Sequence, residues 1–125
     1  MLKKYLIAFF LITLFSIGAY AAGTDDGSSK IKSNYDKAVS LIKSAKKYEK
    51  KGKTEKANKR YEKAQKLLIV LNKKKPLQAN TLNYLGFTTR KLGDYEGGEK
   101  YYLQGLALEP NHNGINEYLG ELYVV

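Results

Sequence analysis

The sequence predicts an all-α protein, an α-solenoid of about five helices paired as antiparallel hairpins behind an N-terminal export signal. Three observations predict it. From Ser33 onward, apolar residues recur at three- and four-residue intervals, the period of one helix face. Glycines and prolines interrupt that period where helices would have to turn. No run of useful length alternates apolar with polar residues, as a half-buried strand would.

The chain of 125 residues opens on Met1-Leu2-Lys3-Lys4, a short basic stretch, followed by an apolar run from Tyr5 to Ile17 and the small-x-small pattern Ala19-Tyr20-Ala21. That layout predicts a signal peptide over 1–21, cleaved after Ala21 or Ala22, and a periplasmic location. An inner-membrane anchor is the competing reading, but a span needs roughly 20 apolar residues and this run is shorter. With no cysteine at the junction, a lipoprotein anchor is excluded. Residues 22–32, including Gly-Thr-Asp-Asp-Gly-Ser-Ser, carry almost nothing to bury and predict a flexible leader.

The folded domain is expected over 33–125. Ala38, Leu41, Ala45 and Tyr48 form a first stripe with Ile42 beside it, and Lys50-Lys51-Gly52 supplies a helix end. Ala57, Tyr61, Ala64, Leu68 and Leu71 make a second amphipathic helix, bounded by Pro76. A third runs from Asn80 to Lys91, a turn at Gly93-Asp94 follows, and Asp94 is placed to cap a fourth from Tyr95 to Leu108. Pro110-Asn111 ends that unit, and Asn113 to Val125 forms a fifth.

Charge is unevenly spread. The net +10 divides into +13 over residues 30–75, where 17 Lys and Arg face Asp36, Glu49, Glu55 and Glu62, and −3 over 76–125, where Arg90, Lys91 and Lys100 face six acids. A field of that kind favours anionic partners. Lys56, Lys59, Lys63 and Lys66 fall on one side of the second helix and are the candidates for an anionic envelope polymer or lipid headgroups; a solvated helix face is the plainer reading. The stripe lacks interleaved aromatics, and export separates the chain from nucleic acid, so no nucleic-acid partner is expected.

Residues 79–112 resemble the tetratricopeptide repeat, a 34-residue helical hairpin. Gly86 after Leu85, the turn Leu92-Gly93-Asp94-Tyr95, Tyr102 and Pro110-Asn111 stand at that family's landmarks. Residues 38–76 fit more loosely, and 113–125 match the start of a further repeat. Departures are Leu82 and Thr89 in place of aromatics, and Gly98 and Gly105 in place of alanine; both glycines satisfy the need for close helix approach, but each is expected to cost about 1 kcal/mol of helix stability. The resemblance implies packing roles for Tyr48, Tyr61, Tyr95 and Tyr102, with Tyr84 and Tyr118 freer to meet a partner.

It also implies a non-enzymatic scaffold whose first helices line a concave groove for a protein or peptide partner. Groove candidates by alignment are Lys46, Asn80, Asn83, Phe87, Arg90, Glu117 and Glu121. Ile42 and Tyr84 stand at the positions of the carboxylate clamp of chaperone-binding members, so a free C-terminal carboxylate is not the expected ligand. Tyr118, Leu119, Leu122, Tyr123, Val124 and Val125 would lack a covering second helix. The last helix as its own cap, a shortened reading frame, and docking of a partner or of a second copy through the C-terminal helix all remain open.

Catalysis has little to stand on. Without cysteine, and with His112 as the only histidine, thiol chemistry and multi-histidine metal sites are excluded. Glu96 with Glu99 and Glu117 with Glu121 sit at helical spacing, and His112 reads as an exposed loop residue lacking an ordered nucleophile. No cofactor is expected.

Overall fold

A computed structural model describes residues 21–125 of the protein, with side chains from Gly27 onward. The described residues form five helices and no strand: α1 (Ala21–Lys50), α2 (Thr54–Lys74), α3 (Ala79–Lys91), α4 (Tyr95–Leu108) and α5 (Asn113–Tyr123). Lys32–Val125 forms one compact unit, to which the helical hairpins belong. The expected signal peptide, apart from Ala21, lies outside the described residues. None of the described helices is long and apolar enough to cross a membrane.

The leader expected to be flexible over 22–32 is instead the first part of α1. Its residues Gly27 to Lys30 are exposed, so burial does not hold them helical. They extend a helix whose anchoring turns lie further on, at the buried Ala38, Ile42 and Ala45, and extending a helix costs far less than nucleating one. Ile42 belongs to that buried line, whereas Leu41 and Tyr48 are only half-buried.

Both hairpin turns close in the same way. Lys53 N–H donates to the Tyr48 carbonyl at 2.9 Å and Gly52 N–H to Glu49 at 2.9 Å; Asp94 N–H donates to Thr89 at 3.1 Å and Gly93 N–H to Arg90 at 2.9 Å. These paired bonds are a Schellman end, which needs a residue with positive φ, and Gly52 (φ 71°) and Gly93 (φ 99°) provide it. Asp94 then caps α4 through its carboxylate, which accepts from Gly97 N–H at 2.8 Å. The connection after α2 holds Leu77 at φ 61°, a left-handed position unusual for a residue with a side chain.

The core runs along the helix contacts. Tyr61 and Tyr102 are the largest fully buried side chains, with Ala57, Ala64, Leu68 and Leu71 of α2, Leu82, Leu85 and Phe87 of α3, and Ile115 and Leu119 of α5 around them. Tyr95, expected inside, is exposed. α3 and α4 approach so closely that a Cβ at Gly98 would sit 2.9 Å from the Gly86 carbonyl oxygen, and a Cβ at Gly86 2.5 Å from the Tyr102 ring. A Cβ at Gly105 would strike the Ile115 side chain. Gly98 and Gly105 are therefore tight contact points, closer than alanine would permit.

Gly98→Ala is expected to destabilise the fold by about 1–2 kcal/mol, because overpacking against backbone outweighs a helix-propensity gain of about 1 kcal/mol. Gly120→Ala, where nothing lies within 4 Å, should stabilise by up to about 1 kcal/mol. Urea unfolding of the two variants measures both signs.

Candidate interaction face

Successive hairpins present α1, α3 and α5 to one another along one face, and six of the residues that matter there come from these helices. On α1 the positions are Tyr35, Ile42 and Lys46, which share a helix side. On α3 they are Tyr84 and Phe87, and on α5 Tyr118. Tyr35 and Tyr84 meet edge to face at 6.1 Å, both half-buried. Burial, then the neighbouring Tyr84 and Asp36, push the Tyr35 hydroxyl up to about 12.

Further along, Phe87 packs against Tyr118 at 4.7 Å and Tyr61 at 5.8 Å between ring centroids. Lys46 lies over two of these rings, 4.6 Å from the Phe87 centroid and 5.2 Å from that of Tyr118, and its ammonium donates to the Tyr118 hydroxyl at 2.9 Å. The attraction of an ammonium to a ring face adds to that bond. Residues 72 positions apart in sequence thus join α1 to α5 across α3.

Two ion pairs flank this cluster. Arg90 Nη2 meets Glu121 Oε2 at 2.9 Å, and Lys91 meets Glu49 at 2.7 Å. The Glu49 carboxylate also accepts from the Tyr61 hydroxyl at 2.9 Å. Burial pushes the Glu49 carboxyl up, but the bonds from Lys91 and Tyr61 outweigh it and hold the group below its ordinary value. Burial raises the Tyr61 and Tyr102 hydroxyls well above theirs. Arg90 Nε, Tyr102 Oη and Asn83 Oδ1 are buried with no hydrogen-bond partner among the described residues.

The structure brings Lys46, Phe87, Arg90 and Glu121 into one cluster, but not as a free surface. Phe87 is 2% exposed and Arg90 8%, and Asn83 is buried against Gly114. The expectation that these three face an open groove is corrected: α5 lies across α3, and Tyr118 and Lys46 cover what a guest would have touched. Asn80 and Glu117 are exposed, and Glu121 is half-exposed.

His112 is not a bare loop residue. Its Nδ1 accepts from Ile115 N–H at 3.1 Å, capping α5, which leaves Nε2 to carry the proton and donate to Asn80 Oδ1 at 2.7 Å. Histidine stands outside the usual capping set, so no sequence signal pointed to it.

The basic stripe stays fully outside. Lys56, Lys59, Lys63 and Lys66 are all exposed; Lys59 pairs with Glu55 at 2.9 Å, and Lys56 lies 5.8 Å from the Tyr48 ring. Between α2 and α4 an open cleft of about 360 Å³ is lined by Gln65, Thr89, Asp94, Gly97, Lys100, Tyr101 and Gln104. Its polar groups bond one another, as Gln65 does Thr89 at 2.9 Å. Among the described residues no group of three acidic, histidine or cysteine side chains is placed to hold a metal ion.

Compared with known proteins, the chain matches no family model and no curated relative.

Two outcomes follow from this geometry. Phe87→Ala should cost about 3–5 kcal/mol of stability in thermal or urea unfolding, because the ring is core rather than surface. Because the Glu49 carboxyl is lowered in the fold, the stability it contributes is present at neutral pH and lost as pH falls through the carboxylate range. Glu49→Gln should therefore flatten the acid limb of a stability profile between roughly pH 5 and pH 3.

Proposed function

We propose that the protein is a non-enzymatic interaction module of tetratricopeptide type, exported to the bacterial cell envelope, which binds a protein or peptide partner along the face shared by α1, α3 and α5. The observation that carries this reading is the row of Tyr35, Tyr84, Lys46 and Tyr118, half-buried side chains drawn from three separate helices. Half-buried tyrosines keep an apolar ring and a polar tip available at once, the chemistry enriched in protein interfaces. Asn80 and Glu117 lie exposed on α3 and α5 beside it and offer hydrogen bonds to an extended backbone.

The partner meets tyrosine rims and amide groups rather than the Phe87 ring, which stays in the core. Two ion pairs already neutralise Arg90 and Lys91, so the face is less basic than the composition suggests.

A second reading rests on the four exposed lysines of α2: attachment to an anionic polymer or to lipid headgroups, with the helices serving to display charge. Salt separates the two readings, since exposed charge attraction is screened over about 8–10 Å. Photo-crosslinkers introduced at Tyr35 and Tyr84, and separately at Lys59 and Lys63, in cells that export the protein make the comparison direct. Discrete protein adducts from Tyr35 and Tyr84 that survive a salt wash are the expected result. Adducts confined to the lysine positions and lost in salt would overturn the interaction-face reading.

A further inference from the structure

The two sides of the helical stack differ in charge, and each carries exposed apolar groups. Gln65 on α2 bonds to Thr89 and shares the cleft with Tyr101 and Gln104 of α4, which fixes the side of α2 that faces α4. At about 100° per residue, Lys56, Lys63 and Val70 lie some 140–180° round α2 from Gln65. They form the opposite edge, where Val70 is 45% exposed among lysines.

On α4, Glu99 and Leu103 lie about 160° round the helix from Tyr101. Leu103 is 47% exposed there. On α5, Tyr118 faces α3, and Tyr123, about 140° round from it, is 61% exposed. The α4–α5 edge thus carries Leu103, with Glu99 one turn away on α4, and Tyr123 on the next helix, in a half of the chain whose net charge is −3. The near edge carries Val70 on the same side of α2 as Lys56 and Lys63, in a half whose net charge is +13.

We infer that copies of this chain associate head to tail, the α4–α5 edge of one copy docking on the lysine-lined α2 edge of the next. Charge decides the pairing. Two α2 edges would oppose lysine to lysine, and two α4–α5 edges would oppose Glu99 to its own copy, whereas the mixed contact pairs Glu99 with lysine and buries Leu103 and Tyr123 near Val70. Opposed like charges across an interface suppress an encounter, and complementary ones steer it. Because the two docking patches differ, the contact leaves a free edge of each kind at the ends and grows unless its rotation closes a ring.

Sedimentation velocity of the protein, in the form that expressing cells accumulate, tests this. The expected result is a concentration-dependent series running past the dimer at low salt, weakened as salt rises. Val70→Asp, which faces Glu99, and Leu103→Lys, which faces the lysines of α2, should each weaken association by about tenfold or more while leaving the helical circular dichroism unchanged. Mixed in equal amounts, the two variants should form a heterodimer that does not grow, since only one pair of intact edges remains. The charge pair supplies an independent check: Lys63→Glu and Glu99→Lys each weaken association, and the double variant recovers it. A monomer at every concentration, a dimer insensitive to Val70→Asp, or assembly only when an anionic polymer such as polyphosphate is added would overturn the inference. Crosslinks from Tyr35 and Tyr84 to a different protein are read separately, so either conclusion can fail alone.

Discussion

The approach of α3 to α4 sets the geometry that everything else inherits. Gly86 and Gly98 remove the two Cβ atoms that would hold these helices apart, and the Tyr102 ring fills the space left over Gly86. Helices normally pack with axes some 8–10 Å apart, depending on the side chains between them, and glycine permits the low end. The resulting wedge carries Arg90 and Phe87 of α3 inward to where α5 can reach them. Conformational freedom is the cost: glycine inside a helix loses more entropy on folding than any other residue.

What would be an open trough in a looser stack is here filled by the protein's own side chains. Phe87 sits between Tyr61 and Tyr118, Lys46 closes over the Phe87 and Tyr118 rings, and Glu121 neutralises Arg90. These contacts use polar groups to seal an apolar cluster, which explains why an arginine with 8% exposure is tolerated: its charge is met by Glu121, and its guanidinium lies 5.6 Å from the Phe87 ring. The side chains left partly uncovered on this face are instead the tyrosines Tyr35, Tyr84 and Tyr118, on which the proposed recognition rests.

Helix number, order and turns were legible in the sequence because each rests on local chemistry. The 4-3-4-3 spacing from Ala57 to Leu71, the glycines that can adopt positive φ, and the Asp94 cap act within a few residues of themselves. Side-chain exposure was less legible. Tyr95 and Tyr102 look alike as repeat landmarks, yet one is exposed and the other fully buried. Phe87 looked like a groove residue because alignment to the repeat gives the face a side chain occupies, not what another helix lays over that face. Gly98 and Gly105 were expected both to allow close helix approach and to weaken their helix; that the approach is too close even for a Cβ shows only once both partners are placed. His112 escaped because its capping role depends on ring geometry and on Asn80, 32 residues away.

The link from Lys46 to Tyr118 also bears on the order in which the chain acquires its structure. Among the described residues most helix packing joins neighbours in sequence, α2 with α3, α3 with α4 and α4 with α5, and such local pairings form with little loop-closure entropy. The α3–α4 hairpin can therefore assemble without help from distant segments. The bridge across 72 residues forms only once three helices already stand side by side. It is a late event, and the row of tyrosines proposed as a recognition surface is complete only after that closing step.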